Sequence, residues 1–410
     1  MDAIILSCGN ELTSGQVVDT NSAWLSAELA QRGIGTLAHC TVGDDRAAIA
    51  TAIAQAAARA GLVIMSGGLG PTEDDVSRHG LADAMGVELE LHEQSLHRIE
   101  GYFARLGRQM NPTNRIQAMM PRGAEALPNE VGTAPGIAAR VGGASVYIVP
   151  GVPREMRWIF QNIIAPRLPA GSGARLHRVI HTFGAGESDV GAAIADLMAR
   201  DGNPLVGTTV SAGLVSVRVT TCAPDAATAQ GMSSRVEDEI CRRLGELVVG
   251  QDERMMAHVV GDLLRQRHAT LATAESCTGG LVGEMLTAVA GSSDYYLGGV
   301  VSYSNKLKTD LLGVDQALIA RHGAVSEPVA AAMAQGACRR LGSDWAVSIT
   351  GIAGPGGGTA EKPVGLIYAG LCGPGVASVQ RHIFPGDRAT IRMRAALTAL
   401  NALRLALLRK

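Results

Sequence analysis

Apolar and polar positions along the first 165 or so residues switch repeatedly between strand-like runs and helical spacing. Ala3–Ser7 is a short apolar run ending at Cys8-Gly9, Thr36–Val42 reads as a second strand, and Leu62–Met65 as a third, fully buried one. Between them, Thr20–Gln31 carries Trp24, Leu25 and Leu29 at helical spacing. Asp44–Ala60 is an alanine-rich helix begun by two aspartates, which suit the positive end of its dipole. Strand, helix, strand, helix, strand predicts a parallel sheet with helices on both faces, whose site lies beyond the carboxyl ends of the strands. Gly9 and Gly67–Gly70 stand at two such ends and are expected to face one crevice.

From about Arg175 the pattern changes. Strand Leu176–Phe183, helix Glu187–Arg200, strands Leu205–Ser211 and Val215–Thr221, helix Ala226–Leu244 and strand Leu247–Val249 follow the β-α-β-β-α-β order of a split βαβ unit. It holds no reactive cluster, which suits a spacer or dimerisation module. From about Glu253 a second α/β pattern begins with an amphipathic helix bearing Met256, Val259, Val260, Leu263 and Leu264. Strand Thr270–Ala274 then runs into Glu275-Ser-Cys-Thr-Gly-Gly280, opening a helix to about Ala290. Strand Tyr296–Tyr303, helical stretches to Leu341, strands Ala346–Thr350, Val364–Leu371 and Val376–Phe384, and a long last helix complete it. The expected fold is therefore α/β: two three-layer α/β domains with mainly parallel or mixed sheets (1–170 and 253–410), joined by a small split-βαβ, ferredoxin-like α+β module (175–250).

Composition narrows the function classes. With 47% apolar and 18% charged residues the chain can build real cores. Lys plus Arg is 36 against 38 Asp plus Glu, and aromatics are 3%, so direct nucleic-acid binding is not expected. Seven scattered cysteines without a CxxC pair read as reduced thiols of a cytoplasmic protein. The start, Met1-Asp-Ala-Ile-Ile-Leu-Ser, has no basic region, and the apolar tail Ala395–Leu408 is interrupted by Asn401 and Arg404, so neither a leader nor a membrane span is expected. His177 and His181 lie four apart on a predicted strand, a poor basis for a metal pair.

Three strand ends of the last domain carry candidate chemistry. In Thr273-Ala-Glu-Ser-Cys-Thr-Gly-Gly280 a hydroxyl and a thiol stand where a strand meets a helix, and free backbone N–H groups there suit a phosphate or an oxyanion. A plain helix cap would use the same residue types. Tyr303-Ser-Asn-Lys-Leu-Lys308 places a phenol, an amide and two amines at a second junction. Thr350-Gly-Ile-Ala-Gly-Pro-Gly-Gly-Gly358 is a glycine loop without the Lys-Ser/Thr of a Walker A motif. Ala274-Glu-Ser-Cys-Thr278 lacks the glycines flanking a nucleophile elbow.

On these residues the chain resembles the full-length CinA family. ESCTGG at Glu275–Gly280, YSNKLK at Tyr303–Lys308, GAVSEP at Gly323–Pro328 and TGIAGP with Lys362-Pro-Val-Gly365 resemble its nicotinamide-mononucleotide amidohydrolase domain. GQVVDTN at Gly15–Asn21, GGLGPTEDD at Gly67–Asp75 and PGVPREM at Pro150–Met156 resemble its molybdopterin-binding-type domain. Thr13-Ser14 and Ser77 depart from that family's usual apolar residues and threonine. The resemblance implies metal-free conversion of nicotinamide mononucleotide and water to nicotinate mononucleotide and ammonia. Ser276 would be the nucleophile and Tyr303 and Lys308 its proton-handling partners, with Cys277 as the rival nucleophile. Glu275, Cys277, Thr278, Gly279, Gly280, Thr350, Gly351, Gly354 and Arg388 would line the nucleotide site, Arg388 as a phosphate anchor.

For the first domain the resemblance implies metal-dependent hydrolysis of ADP-ribose, with Asp74 and Asp75 holding a divalent cation or merely capping the next helix. A competence or recombination partner protein without enzymatic activity is the third reading, and a homodimer is expected.

Overall fold

The computed structural model describes residues 2–169 and 173–409, so the expected boundary at 170 and the chain ends at 1 and 410 lie outside the described residues. By contacts the chain gathers into two compact units, one of residues 1–176 with 222–230 and one of residues 177–221 with 231–410.

The first unit is built on a six-stranded sheet in the order Gly35–Val42, Asp2–Cys8, Leu62–Ser66, Ala144–Val149, Gly136–Val141, Glu125–Leu127. The first four strands run parallel, as the alternation of the first three predicts, and the last two pair antiparallel, so the sheet is mixed. Strand alternation explains the three layers. Ala3, Ile5 and Ile64 pack with Leu25 and Leu29 of helix Thr20–Gln31, while Ile4, Leu6 and Val63 pack on the other face with Ile49 and Ile53 of helix Arg46–Arg59. Asp45 starts the latter helix, its carboxylate accepting the Ala48 N–H at 2.7 Å.

Mostly within the second unit, a four-stranded sheet has the order Leu205–Ser211, Leu214–Ala223, Ala174–Phe183, Val248–Gln251, the split-βαβ topology. Helix Glu187–Ala193 is shorter than expected, giving way to a 3-10 turn at Ala195–Leu197. His177 and His181 face the neighbouring strand, with Nδ1 at 2.9 Å from the Thr220 and Ser216 hydroxyls respectively.

The second sheet of this unit has five strands in the order Tyr296–Val301, Leu271–Glu275, Trp345–Gly351, Leu366–Gly373, Val376–Ile383. The first three are parallel and the last two antiparallel. Leu271, Val347 and Ile349 pack with helices Met256–Gln266, Leu281–Thr287 and Arg388–Leu408; Ala272, Ala274 and Ala346 pack with helices Asn305–Leu312, Gln316–His322 and Glu327–Leu341. Near the end of the last helix the buried Arg404 donates to the carbonyls of Glu246 and Val248, tying that helix to the end of the four-stranded sheet. Among the described residues no helix is long and apolar enough to cross a membrane.

Candidate active site

Strand Leu271–Glu275 delivers Ser276 at its carboxyl end. Two neighbouring strands hold that point of the backbone: Ser276 N–H donates to Ile349 O at 2.9 Å, and Ser302 N–H donates to Glu275 O at 2.8 Å. Gly279 (φ +64°) and Gly280 (φ +98°) then turn the chain through the left-handed region, so the helix starts only at Leu281.

Lys308 arrives from helix Asn305–Leu312, which Ser304 caps by accepting the Leu307 N–H at 3.2 Å. Its side chain is 1% exposed, and Nζ lies 3.0 Å from Ser276 Oγ, 2.6 Å from Ser302 O and 3.4 Å from Tyr303 O. No carboxylate pairs with it among the described residues. Burial therefore pulls its pKa below the ordinary lysine value. A neutral amine in this position donates its two hydrogens to the carbonyls and keeps its lone pair for the serine proton. Cys277 is buried as well, and burial pushes its thiol up to about 11, leaving it protonated at neutral pH and a poor rival to Ser276.

Glu275 is 2% exposed, and its carboxylate accepts N–H groups from Gly280, Val282 and Gly283 at 3.0, 3.1 and 3.0 Å. It thus closes the start of helix Leu281–Thr287. The Gly279 N–H turns back to Ser276 O at 3.1 Å. Among the described residues, the N–H groups of Cys277 and Thr278 make no hydrogen bond to another residue, so these two are the free donors beside Ser276 Oγ.

Tyr303 and the glycine loop form the outer side. The Tyr303 phenol is exposed and accepts from Arg388 Nη2 at 3.3 Å, while Arg388 Nη1 donates to Gly354 O at 2.6 Å. The Thr350 hydroxyl donates to Ala324 O at 2.8 Å, and Lys362 Nζ donates to His322 O and Val325 O at 2.7 and 2.8 Å, so both ends of the loop are tied to the preceding GAVSEP segment. Gly351 has no room for a side chain: a Cβ would stand 2.6 Å from Leu366 O.

In the first unit, Gly9 and Gly67–Gly70 do share a cavity, of about 450 Å3, whose wall includes Glu11, Asp44, Asp74, Asp75 and Glu155. Arg78, almost wholly buried, supports the glycine loop from behind by donating to the carbonyls of Leu69, Gly70 and Asp75 at 2.6, 3.0 and 3.1 Å.

Residues 253–407 match the family described as CinA C-terminal domain, residues 177–250 the damage-inducible protein CinA KH domain, and residues 4–170 the probable molybdopterin binding domain. A CinA-like protein of Anaeromyxobacter sp. (strain Fw109-5) is 44% identical over 98% of both chains. A CinA-like protein of Synechococcus sp. (strain RCC307) is likewise 44% identical over 98% of both. The chain belongs to the CinA family. A solved CinA superfamily protein from Klebsiella pneumoniae 700603 is 35% identical, covering 38% of this chain and 96% of that one, with a TM-score of 0.37.

In this CinA chain the fold brings Ser276 and Lys308 into contact, whereas only the carbonyl of Tyr303 reaches the pair. Its phenol belongs to the Arg388 side. Glu275 and Gly280 face each other, which narrows the stretch Cys277–Gly280 to two free N–H groups. Asp75 closes its own turn by accepting the Thr72 N–H at 2.9 Å, and helix Ser77–Met85 starts without a side-chain cap. The expected capping role of Asp74 and Asp75 is therefore not what they do. Nor do they fit a metal by themselves: among the described residues no three His, Cys, Asp or Glu side chains gather as a metal site. The sequence reading missed Arg392, which donates to Thr278 O at 2.6 Å, although its spacing of four from Arg388 on one helix was a usable signal.

Proposed function

We propose that the second unit of this CinA-family chain hydrolyses the carboxamide of nicotinamide mononucleotide to nicotinate mononucleotide and ammonia. The observation that carries this reading is the buried Ser276–Lys308 pair, an amine with no acid partner set 3.0 Å from a hydroxyl. An amide is a poor electrophile and needs an activated nucleophile, a stabilised oxyanion and a proton for its leaving group. Neutral Lys308 takes the Ser276 proton as Oγ bonds to the amide carbon. The oxygen of that amide becomes an oxyanion at the N–H groups of Cys277 and Thr278. Collapse breaks the C–N bond, and Lys308 returns its proton to the departing ammonia. Water then gives a proton to Lys308, attacks the acyl-serine ester and releases the carboxylic acid, and the lysine proton restores the Ser276 hydroxyl. Tyr303, Thr350, Gly351 and Gly354 border the substrate on the outer side.

The test is release of ammonia and nicotinate mononucleotide by the full chain in EDTA, beside Ser276→Ala. Turnover that falls at least about 1000-fold in the variant is the expected result. Equal turnover in both would move the nucleophile to Cys277 or water, and none in either would sink the reading.

A second activity, hydrolysis of ADP-ribose in the first unit, is favoured by the 450 Å3 cavity at the glycine loop. A nucleoside diphosphate sugar of that kind would lay its pyrophosphate on the backbone of Gly67–Gly70. Among the described residues Asp74 and Asp75 gather no third ligand, so they do not make a metal site by themselves.

A further inference from the structure

The glycine loop after strand Trp345–Gly351 is closed at its base by the sheet: Ile352 N–H donates to Leu366 O at 2.9 Å, and Gly365 N–H donates to Ile352 O at 2.7 Å. Above that base, residues 355–361 are exposed, and Gly354 (φ +74°) and Gly357 (φ +84°) turn the backbone through the left-handed region. Among the described residues, hydrogen bonds tie 353–362 to the rest of the unit at two points only. Arg388 donates to Gly354 O on one leg, and on the other Lys362 Nζ donates outward to His322 O and Val325 O.

Several features place an ammonium at the second point. A tight turn presents it, with Thr359 N–H donating to Lys362 O at 2.9 Å and Lys362 N–H donating to Thr359 Oγ1 at 3.0 Å. Its acceptors lie at and just beyond the end of helix Gln316–His322, where carbonyls lack helical partners and a cation suits the negative end of the dipole. Gly323 leaves the space, since a Cβ there would stand 2.8 Å from Nζ. Of the 36 basic residues only Lys306, Lys308, Lys362 and Lys410 are lysines, so a compact ammonium stands here in a chain that otherwise uses the larger, flat guanidinium.

The clamp reaches the site through packing. Val364, two residues on, lies so close to Gly354 that a Cβ on that glycine would stand 2.6 Å from Val364 Cγ1. Gly354 O in turn receives Arg388, which also donates to the Tyr303 hydroxyl. We infer that Lys362 is a positioning residue: by pinning the glycine loop to the carbonyls of His322 and Val325, it holds the wall of the Ser276 site in the shape that receives substrate. The consequence for turnover rests on the amidohydrolase reading; the pinned loop does not.

Without the clamp only a fraction of molecules hold the loop in place, and apparent affinity falls by that fraction. In the full chain, Lys362→Met is expected to raise KM for nicotinamide mononucleotide about 10-fold, with kcat within about 3-fold and the midpoint of the pH–rate limb unmoved. Hydrogen–deuterium exchange without substrate is expected to quicken at least about 10-fold across 352–365 and to stay unchanged in strand Leu271–Glu275. Lys362→Arg keeps the charge in a larger group and should move both readouts the same way by less; it keeps the test open if Lys362→Met does not fold. Unchanged KM, or unchanged exchange in the loop, would overturn the inference. So would faster exchange throughout the unit with kcat lost in parallel, the mark of general destabilisation. Wild type that releases no ammonia defeats the amidohydrolase reading alone, because exchange across 352–365 still decides the clamp.

Discussion

The chemistry assigned to Lys308 depends on a single proton. Burial lowers its pKa from 10.5, so the amine is charged below its folded pKa and neutral above it. kcat/KM should therefore rise with pH along a limb whose midpoint lies below 10.5. Lys308→Arg, which cannot shed its proton, should be inactive throughout. Stability moves in the same sense. Between the folded pKa and 10.5 the unfolded chain binds more protons, so the free energy of unfolding rises with pH there, and that contribution is lost as pH falls through the folded pKa. Urea titrations of wild type and Lys308→Met across this range should differ by that slope. Ser276 and Lys308 were legible as candidates because hydroxyl and amine types at two strand-to-helix junctions stand out from an otherwise aliphatic pattern. The place of the Tyr303 phenol was not, since spacing along a chain does not encode which way a side chain leaves a loop. Glu275 was misjudged for a related reason: a carboxylate next to a nucleophile reads as substrate-facing until its three N–H donors are seen.

One scale up, the turn after strand Leu271–Glu275 stands on that same carboxylate. Glu275→Ala would leave three backbone donors without an acceptor, and the expected loss of stability is about 2–4 kcal/mol in urea unfolding, with Glu275→Gln losing clearly less. A loss under about 0.5 kcal/mol would mean water replaces the carboxylate without cost. Continuous apolar strands and long alanine-rich helices were readable because their periods repeat; helices Thr20–Gln31 and Ala226–Leu244 run as expected. The three-residue strands Leu89–Leu91, Met119–Pro121 and Glu125–Leu127 were not, being too short to show a period. The last of these, with Gly136–Val141, turns the first sheet from parallel to mixed.

For the molecule as a whole, every group assigned to amide hydrolysis lies in the second unit, and the glycine-loop cavity lies in the first. EDTA should leave ammonia release unchanged. Asp75→Asn, which loosens the Thr72 turn, should impair any hydrolysis of ADP-ribose while ammonia release persists; a joint loss would contradict this assignment. The near balance of 36 basic and 38 acidic residues pointed away from nucleic acid at this scale, yet concealed local imbalance. Two arginines and a buried lysine lie near Cys277, while five carboxylates line the first cavity. Net charge averages over such patches, and only folding separates them.

The last helix has a mechanical meaning as well. Arg388 opens it beside Gly354 and Tyr303, and Arg404 anchors its far part to the carbonyls of Glu246 and Val248 on the four-stranded module. Arg404 lies sixteen positions after Arg388 along the helix, a stiff rod of about 24 Å. Pivoted at Arg404, a tilt of about 5° would carry Arg388 some 2 Å, enough to break or make its contacts with Gly354 and Tyr303. One continuous helix thereby joins the module without reactive groups to the Tyr303 side of the Ser276 site.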